Sequence, residues 1–381
     1  MNRQIFIFCI SFFFIFSSQS QTMRKTSLEI PEMYCWILMK INANASTIKL
    51  LDEDNDNYYF HLIETQYKAM NVFDVHTLVS INKDLTTIQR MPIYTDEDQS
   101  FLEILSNKNE IIVFSKKFDD GLLSFVKKTF SKSDLKLLNE STIVTFEHGK
   151  FNPSKFYTVK SPDKTKVGLM ALISSINIQK IVYGNPDVKI GSYCVAVIDQ
   201  TGSLVWKKMK DLSLANESFK VDDIVLTNDA QMYILFNFHP ENSEKTTNIR
   251  PYLDFVFLDK NNEKTSTFSF ENQLHNTKLH VLKNGDLFIA GVYSDYSQQT
   301  YFNKILSKND WSEISEDSEK LSFKQNSYFD AHHSPQTFGF FAEVKTISEL
   351  EDGTISVLCE QIIDISYLYG LKVVRDRKSV V

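Results

Sequence analysis

Short apolar stretches alternate with short polar turns along most of the chain. One recurring pattern is an apolar strand, a turn of Asn, Asp or Gly, and a second apolar strand, as in DDIVLTNDAQMYILFNF and TKLHVLKNGDLFIAGVY. Apolar runs of this length, bounded by turn residues, predict β-hairpins. No comparable run shows convincing helical periodicity. The pattern therefore predicts an all-β fold.

The turns of these hairpins recur along the chain in two alternating sets. The first set is marked by Asp54, Asn107, Asp163, Asn228, Asn284 and Asp352. The second set falls near Lys83, Lys132, Gln200, Lys260 and Lys308, each between two turns of the first. Each repeat thus contains two hairpins, or four strands, over roughly 55 to 65 residues, which is longer than the compact propeller repeats of roughly 40 to 50 residues.

Four antiparallel strands per repeat are typical of the blades of a β-propeller. A single blade cannot bury both of its faces, whereas stacked blades share apolar layers and protect most strand edges. We predict an all-β β-propeller over residues 47–375, with about six four-stranded blades of which the last is incomplete. Two unrelated β-sandwiches with similar turns are the alternative.

One hairpin carries a resemblance to a known family. In the segment IDQTGSLVW, Asp199 and Gly202 flank a turn and Trp206 follows on the next strand. This segment resembles the L-D-x-x-G-x-x-x-W hairpin of exported bacterial β-propeller repeat proteins, although several other repeats of this chain lack the Gly and the Trp. The resemblance implies that Asp199 and Gly202 shape the turn and that Trp206 packs between sheets. Its relatives include quinoprotein-like proteins and carbohydrate- or envelope-associated modules, so it implies no single function.

The first residues have the pattern of an export signal. Arg3 precedes the apolar run IFIFCISFFFIF, and small residues follow it in SSQSQ. This order predicts a signal peptide over residues 1–20, with a membrane anchor as the alternative. Residues 21–46 form an N-terminal segment in which residues 33–41 are a candidate closing strand. We therefore expect a secreted, periplasmic or cell-envelope protein without a lipid anchor and without a transmembrane segment in its mature chain.

The last residues match a laboratory sequence. The hexapeptide DRKSVV, residues 376–381, is what the common sequencing-adapter string GATCGGAAGAGCGTCGTGTAG encodes before its stop codon. The segment GLKVV before it aligns with the third strand of earlier repeats, which leaves the sixth repeat without a fourth strand. We interpret residues 376–381 as adapter read-through, with a short basic tail as the alternative.

Charge and cysteine content narrow the classes of partner. The formal charge is −7 and there is no basic stripe, which argues against nucleic acid as a partner. Beyond the predicted signal, Cys35, Cys194 and Cys359 each lie in an apolar stretch. Three cysteines exclude a disulfide framework and favour buried thiols, although one bridge between two of them stays open.

An acidic turn offers a weak calcium site. Asp52, Asp54 and Asp56 have the spacing that begins a calcium-binding loop, but Asn57 and Ile63 stand where the EF-hand pattern requires Gly and Glu. A solvated hairpin turn is the alternative interpretation. The sequence predicts no other cofactor.

Candidate binding residues concentrate in the predicted links between strands and between blades. These are His148, His239, His275, Asp330, His332 and His333. In a propeller such links emerge on one face near the axis, which is a common ligand site. Asp330, His332 and His333 also form a candidate metal group, with a polar loop as the alternative. In contrast, His61, His76 and His280 fall within strands and are expected to be packed residues.

No nucleophile motif, zinc-peptidase motif, phosphate-binding loop or dinucleotide fingerprint occurs in the sequence. No catalytic residue is therefore assigned. The sequence favours a non-enzymatic exported propeller that binds an extracellular ligand, such as a glycan, peptide or envelope partner, through its loop face. A hydrolase or lyase acting on polysaccharide is the first alternative, and a structural module of a larger, truncated protein is the second.

Overall fold

The computed structural model describes residues 47–68, 71–93, 99–119, 121–147, 152–176, 188–211, 217–240, 252–270, 273–294, 299–320, 339–364 and 377–380. Within these ranges every regular element is a β-strand and no residue lies in a helix, so the predicted all-β class is confirmed. Accordingly, the described part of the chain contains no helix suited to crossing a membrane. The chain divides into two compact units, Met1–Pro92 and Ile93–Val381.

The first unit contains one antiparallel sheet, sheet 1, whose strands are β1 (Thr47–Glu53), β2 (Asn57–Lys68), β3 (Asn71–Asn82) and β4 (Ile88–Pro92). The strands pair in sequence order. Its apolar cluster consists of Tyr58, Phe60, Leu62, Val79 and Ile81, all of which are buried.

The second unit contains five sheets, whose strands also pair in sequence order. Sheet 2 has β5 (Gln99–Ser106), β6 (Glu110–Asp119), β7 (Leu122–Ser131) and β8 (Leu137–Glu147); sheet 3 has β9 (Asn152–Lys160), β10 (Lys166–Ile176), β11 (Val188–Asp199) and β12 (Leu204–Asp211). Sheet 4 has β13 (Glu217–Leu226), β14 (Met232–Pro240), β15 (Tyr252–Leu258) and β16 (Glu263–Ser269); sheet 5 has β17 (Gln273–Val281), β18 (Leu287–Ser294), β19 (Gln299–Leu306) and β20 (Glu313–Lys320). Sheet 6 has β21 (Gly339–Glu349), β22 (Ile355–Asp364) and β23 (Arg377–Val380).

Every hairpin turn predicted from the sequence joins two paired strands. The six turns of the first set connect the first and second strands of the six sheets, and the five turns of the second set connect third and fourth strands. The repeating four-strand unit is thereby confirmed. Five of the six first-set markers, Asp54, Asn107, Asp163, Asn284 and Asp352, accept a hydrogen bond from the main-chain N–H two residues later. These are Asx-turns, which explains why Asn and Asp mark the repeat.

The last sheet has three described strands. Its third strand is Arg377–Val380, in which Val380 pairs with Cys359 and Arg377 pairs with Ile362. The segment GLKVV, predicted as that strand, lies outside the described residues, as do the signal peptide and residues 33–41.

Neighbouring sheets of the second unit bury their faces against each other. The core between sheets 2 and 3 includes Phe114, Phe125 and Cys194, and the core between sheets 3 and 4 includes Trp206 and Phe236. Similar clusters lie between sheets 4 and 5 and between sheets 5 and 6. Because successive side chains of a strand point to opposite faces, β10 sends alternate residues into two different cores. This explains its nearly continuous apolar sequence.

The first strands of consecutive sheets lie side by side: β5 contacts β9, β9 contacts β13, β13 contacts β17, and β17 contacts β21. All six first strands contain a β-bulge. In five of them the register shifts fall at Leu50/Asp52, Phe101/Glu103, Val221/Asp223, Leu274/Asn276 and Val344/Thr346. In sheet 3 the extra residue is Ser154 of β9, between Pro153 and Lys155, which pair with the consecutive residues Ile173 and Leu172 of β10. The bulge changes the direction of a strand and re-aims the residue beside it.

Candidate functional site

The structure places the predicted ligand-face residues as follows. His148, Asp330, His332 and His333 lie outside the described residues. His239 is in β14 and pairs with Ser218, and His275 is the extra residue in the bulge of β17. We call the end of a sheet at which its first strand begins and its second strand ends the loop end. His239 and His275 both lie toward the loop end, in sheets 4 and 5.

Described polar residues of these two sheets form a cluster that the sequence did not predict. We call it the polar cluster; it consists of Lys220, Asp222, Asp223, Asn237, Thr277 and Lys278. The Asp222 side chain is 2% exposed, and its Oδ1 lies 3.1 Å from Lys220 Nζ. Its Oδ2 accepts hydrogen bonds from Asn237 Nδ2 at 2.8 Å and from Thr277 Oγ1 at 2.7 Å. A buried carboxylate is thus matched by three donors, as its desolvation requires.

Asp223 occupies the position after the bulge of β13 and reaches across to β17. It accepts hydrogen bonds from Lys278 Nζ at 3.1 Å and from the main-chain N–H of Leu279 at 2.9 Å. Burial raises the pKa of the Asp223 carboxyl above its usual value, against the opposing effect of the Leu279 and Lys278 hydrogen bonds. The carboxyl therefore carries an electrostatic cost that its two donors offset only in part.

Asn237 completes the polar cluster from β14 and is fully buried. Its Nδ2 donates to a carboxylate that can only accept, which fixes the orientation of the amide. Its Oδ1 is buried and has no hydrogen-bond partner among the described residues. A buried acceptor of this kind has an unfavourable free energy.

In three sheets, the residue after the bulge of the first strand bonds to the first strand of the next sheet. Glu103 of β5 contacts β9, where Lys160 Nζ lies at 3.1 Å and Thr158 Oγ1 donates at 3.3 Å. Asn276 of β17 contacts β21, where it donates to Val344 O and accepts from Val344 N, both at 3.0 Å. Together with Asp223, these residues fasten the first strands of sheets 2, 4 and 5 to the first strand of the next sheet. We call these contacts clasps.

A second surface feature lies toward the loop end of sheets 2 and 3. We call it the aromatic–lysine surface; it consists of Lys116 and Phe118 of β6 and Phe156 of β9. The Phe118 side chain is 40% exposed, and its ring lies 5.8 Å from that of Phe156. Lys116 Nζ lies 3.5 Å from the centre of the Phe156 ring and 5.7 Å from that of Phe118. An ammonium over an aromatic face is a cation–π contact.

Lys116 is an unusual lysine for its surroundings. It is half-buried, and no carboxylate among the described residues forms an ion pair with it. Burial lowers the pKa of the Lys116 ammonium below its usual value. The adjacent Lys117 is exposed and belongs to the opposite face of the strand, since side chains alternate.

The acidic turn of sheet 1 is held by its own hydrogen bonds. Asp54 Oδ1 accepts from the N–H groups of Asp56 and Asn57, and Asp54 Oδ2 accepts from the Tyr59 hydroxyl at 2.6 Å. Asp52 follows the bulge of β1, the position that Glu103 has in β5. In the part of the chain that the structure describes, no group of three or more His, Cys, Asp or Glu side chains is arranged to hold a metal ion. Calcium at Asp52, Asp54 and Asp56 stays a prediction.

Of the three histidines predicted as packed residues, His61 is buried, and His76 and His280 are half-buried. The Nε2 of His61 lies 2.9 Å from Nδ1 of His76, and their rings are stacked. Burial lowers the pKa of His76 and of His280, with Asp74 and Glu349 opposing the shift respectively. The prediction of buried thiols is confirmed for Cys194, which is free and buried, whereas Cys359 is free and half-buried. Burial raises the pKa of Cys194 to about 12.

Comparison with known proteins identifies no family. No family model matches the chain, and no curated protein sequence matches it. Among solved structures, it is similar to the β-propeller domain of the trilobed protease from Pyrococcus furiosus, with 8% identity, a TM-score of 0.33, and coverage of 88% of this chain and 84% of that one. It is also similar to a Synechocystis apocarotenoid oxygenase, with 10% identity, a TM-score of 0.35, and coverage of 72% of this chain and 60% of that one. A third similar structure is a GH43 β-1,3-galactosidase, with 12% identity, a TM-score of 0.29, and coverage of 86% of this chain and 73% of that one. The chain spans less than two thirds of the length of the oxygenase.

Both features missed by the sequence reasoning depend on contacts between repeats. Phe118 and Phe156 belong to different sheets, and so do Asp223 and Lys278. The one available signal was the charged pair Asp222–Asp223, which lies between Val221 and the apolar run IVL of the same strand. Charged residues are rarely buried without partners.

Proposed function

We propose that this chain is an exported β-propeller that binds an extracellular ligand, such as a glycan, a peptide or an envelope partner, through the loop end of its sheets. In this proposal the sheets are the blades of one closed ring of about six, and the protein is secreted, periplasmic or located in the cell envelope. The stacking of consecutive four-stranded sheets through their first strands supports the propeller arrangement.

The aromatic–lysine surface is the observation that carries the binding function. It places an exposed aromatic ring beside an ammonium that has no carboxylate partner among the described residues, toward the end of the sheets where propellers bind ligands. Exposed aromatic side chains are over-represented in binding sites because they provide a large contact area with little loss of conformational entropy.

The test is a binding screen with the full chain against an array of glycans and peptides. We expect saturable binding without release of products, and loss of binding in Phe118→Ala. Leu138→Ala is a suitable control, because Leu138 is also exposed but belongs to β8. If both variants bind equally well, the loop end is not the binding site.

One observation favours the enzymatic alternative. The raised pKa of Asp223 is a property of carboxyl groups that act as general acids in polysaccharide hydrolysis. If this alternative holds, the chain releases products from a polysaccharide and Asp223→Asn abolishes that release. Binding without turnover across the same panel would reject it.

A further inference from the structure

We propose that the ligand of the aromatic–lysine surface is an acidic glycan, in which a uronic acid residue stacks on Phe118 and its carboxylate pairs with Lys116. This inference rests on the proposed binding function and specifies its ligand class. The two features that it requires, an exposed aromatic face and an adjacent unpaired ammonium, are 5.7 Å apart, measured from Lys116 Nζ to the centre of the Phe118 ring.

The charge of Lys116 selects an anion. An ammonium has three N–H donors, and a ring face compensates its charge only in part. The Glu103 carboxylate of sheet 2 is already paired with Lys160 of sheet 3, at 3.1 Å, whereas no described carboxylate forms an ion pair with Lys116. The Lys116 ammonium is therefore a charge that a ligand carboxylate can meet. Its contact with Phe156 at 3.5 Å holds the ammonium in place before binding.

The position of Phe118 selects a ring. Phe118 pairs with Leu123 and shares a face of β6 with Lys116, which pairs with Phe125. The centre of its ring lies 5.8 Å from that of Phe156, with the two ring planes inclined by 56°, and the side chain is still 40% exposed. A pyranose presents a flat C–H surface to such a ring, while the carboxylate at its edge points outward. A uronic acid combines both groups in one rigid unit, which a flexible acidic peptide does not.

The experiment measures binding of oligogalacturonate and of its methyl ester, which has the same rings without the charge, to the full chain. We expect the ester to bind about tenfold or more weakly, a difference of about 1.4 kcal/mol or more, because the ester cannot form a charged hydrogen bond with Lys116. Added salt should weaken the binding of the acid and leave the binding of the ester unchanged, since salt screens the attraction between the two charges.

Variants assign the charge to Lys116. Lys116→Met should bind the acid about as weakly as the wild type binds the ester, whereas Lys117→Met, the adjacent lysine on the opposite face, should bind it normally. Lys116→Arg keeps the charge and should retain most of the affinity. Circular dichroism and thermal unfolding of each variant show that the fold is intact.

The outcomes separate this inference from the proposed function. Equal affinity for acid and ester, with loss of both in Phe118→Ala, would overturn the acidic class and leave the binding function standing. If oligoglutamate binds as tightly as oligogalacturonate, the ligand is not specifically a glycan and that part of the inference is wrong. If no glycan or peptide binds, both the inference and the proposed function are wrong.

Discussion

Trp311 occupies a turn position in the left-handed region, with a φ of 66°, where a side chain other than glycine is normally strained. Leu85 and Leu135 are found in the same conformation in the equivalent turns of sheets 1 and 2, whereas sheet 3 has Gly202 there, with a φ of 73°. Trp311 is nearly buried and its ring packs edge-on against Phe255 at 4.7 Å. Packing against the neighbouring sheet thus offsets the backbone strain.

We predict that packing outweighs backbone strain at the Trp311 turn, and that strain outweighs packing at the Gly353 turn. Trp311→Gly relieves backbone strain but removes a buried aromatic ring, so it should lower the free energy of unfolding by about 2–4 kcal/mol. Gly353→Ala creates strain where the added methyl group meets no atom within 4 Å, and should cost only about 1 kcal/mol. Urea unfolding measures both values; a smaller effect for Trp311→Gly than for Gly353→Ala would contradict this account.

At the residue scale, the sequence predicts the positions of the turns but not every residue that occupies them. Asn and Asp were sufficient to locate the turns because their side chains bond to main-chain groups two residues away, which is a local interaction. The replacement of glycine by Leu85, Leu135 or Trp311 was not predictable in the same way. It depends on an apolar surface provided by other strands.

Lys116 gives the stability a pH dependence of known sign. Its pKa is lowered in the folded protein, so the unfolded chain binds more protons than the folded one between the folded pKa and the unfolded value of about 10.4. The stability therefore rises as pH increases through this interval. Lys116→Met should be more stable than the wild type at pH 7, and the difference should disappear above the unfolded pKa. Thermal unfolding between pH 7 and 11 measures it, with Lys117→Met as the control; no pH dependence of the difference would reject it.

At the scale of the element, the bulged first strands decide which polar groups meet. Each sheet was predictable as two hairpins, because hairpin formation depends on turns and on alternation within about 20 residues. The bulges add one residue to a strand and change which side chain faces the next sheet. A sequence pattern of period two does not reveal such an insertion, so the clasps and the polar cluster were missed.

The Asn276 clasp allows a direct test of this role. Asn276→Ala leaves the N–H and C=O of the buried Val344 without their side-chain partner, and should reduce the free energy of unfolding by about 2–4 kcal/mol. Asn309→Ala, in an exposed turn, should change it by less than about 0.5 kcal/mol. Equal effects in urea unfolding would show that the clasp does not hold sheets 5 and 6 together.

At the scale of the whole molecule, the stacking of sheets makes stability depend on neighbours. In the second unit, sheets 3, 4 and 5 each contribute to two described apolar clusters, whereas sheet 6 contributes to one. In architectures built this way, the stability of a repeat is approximately its own contribution plus those of its two interfaces. The repeat period was predictable because each unit is built from local hairpins. The binding surface was not, because Phe118 and Phe156 meet only when two sheets stack.

This nearest-neighbour arrangement predicts a gradient of hydrogen-exchange protection. The central strands β10 and β14 should exchange most slowly, because both of their faces are buried between neighbouring sheets. The strand β20, whose residues are all exposed, and the strands of sheet 6 should exchange faster. Trp206→Ala, which removes a buried ring between sheets 3 and 4 and its hydrogen bond to Ala230 O, should accelerate exchange in those two sheets more than in sheet 6. Mass spectrometry of exchanged peptides measures this; uniform acceleration would mean that the unit unfolds as one cooperative body.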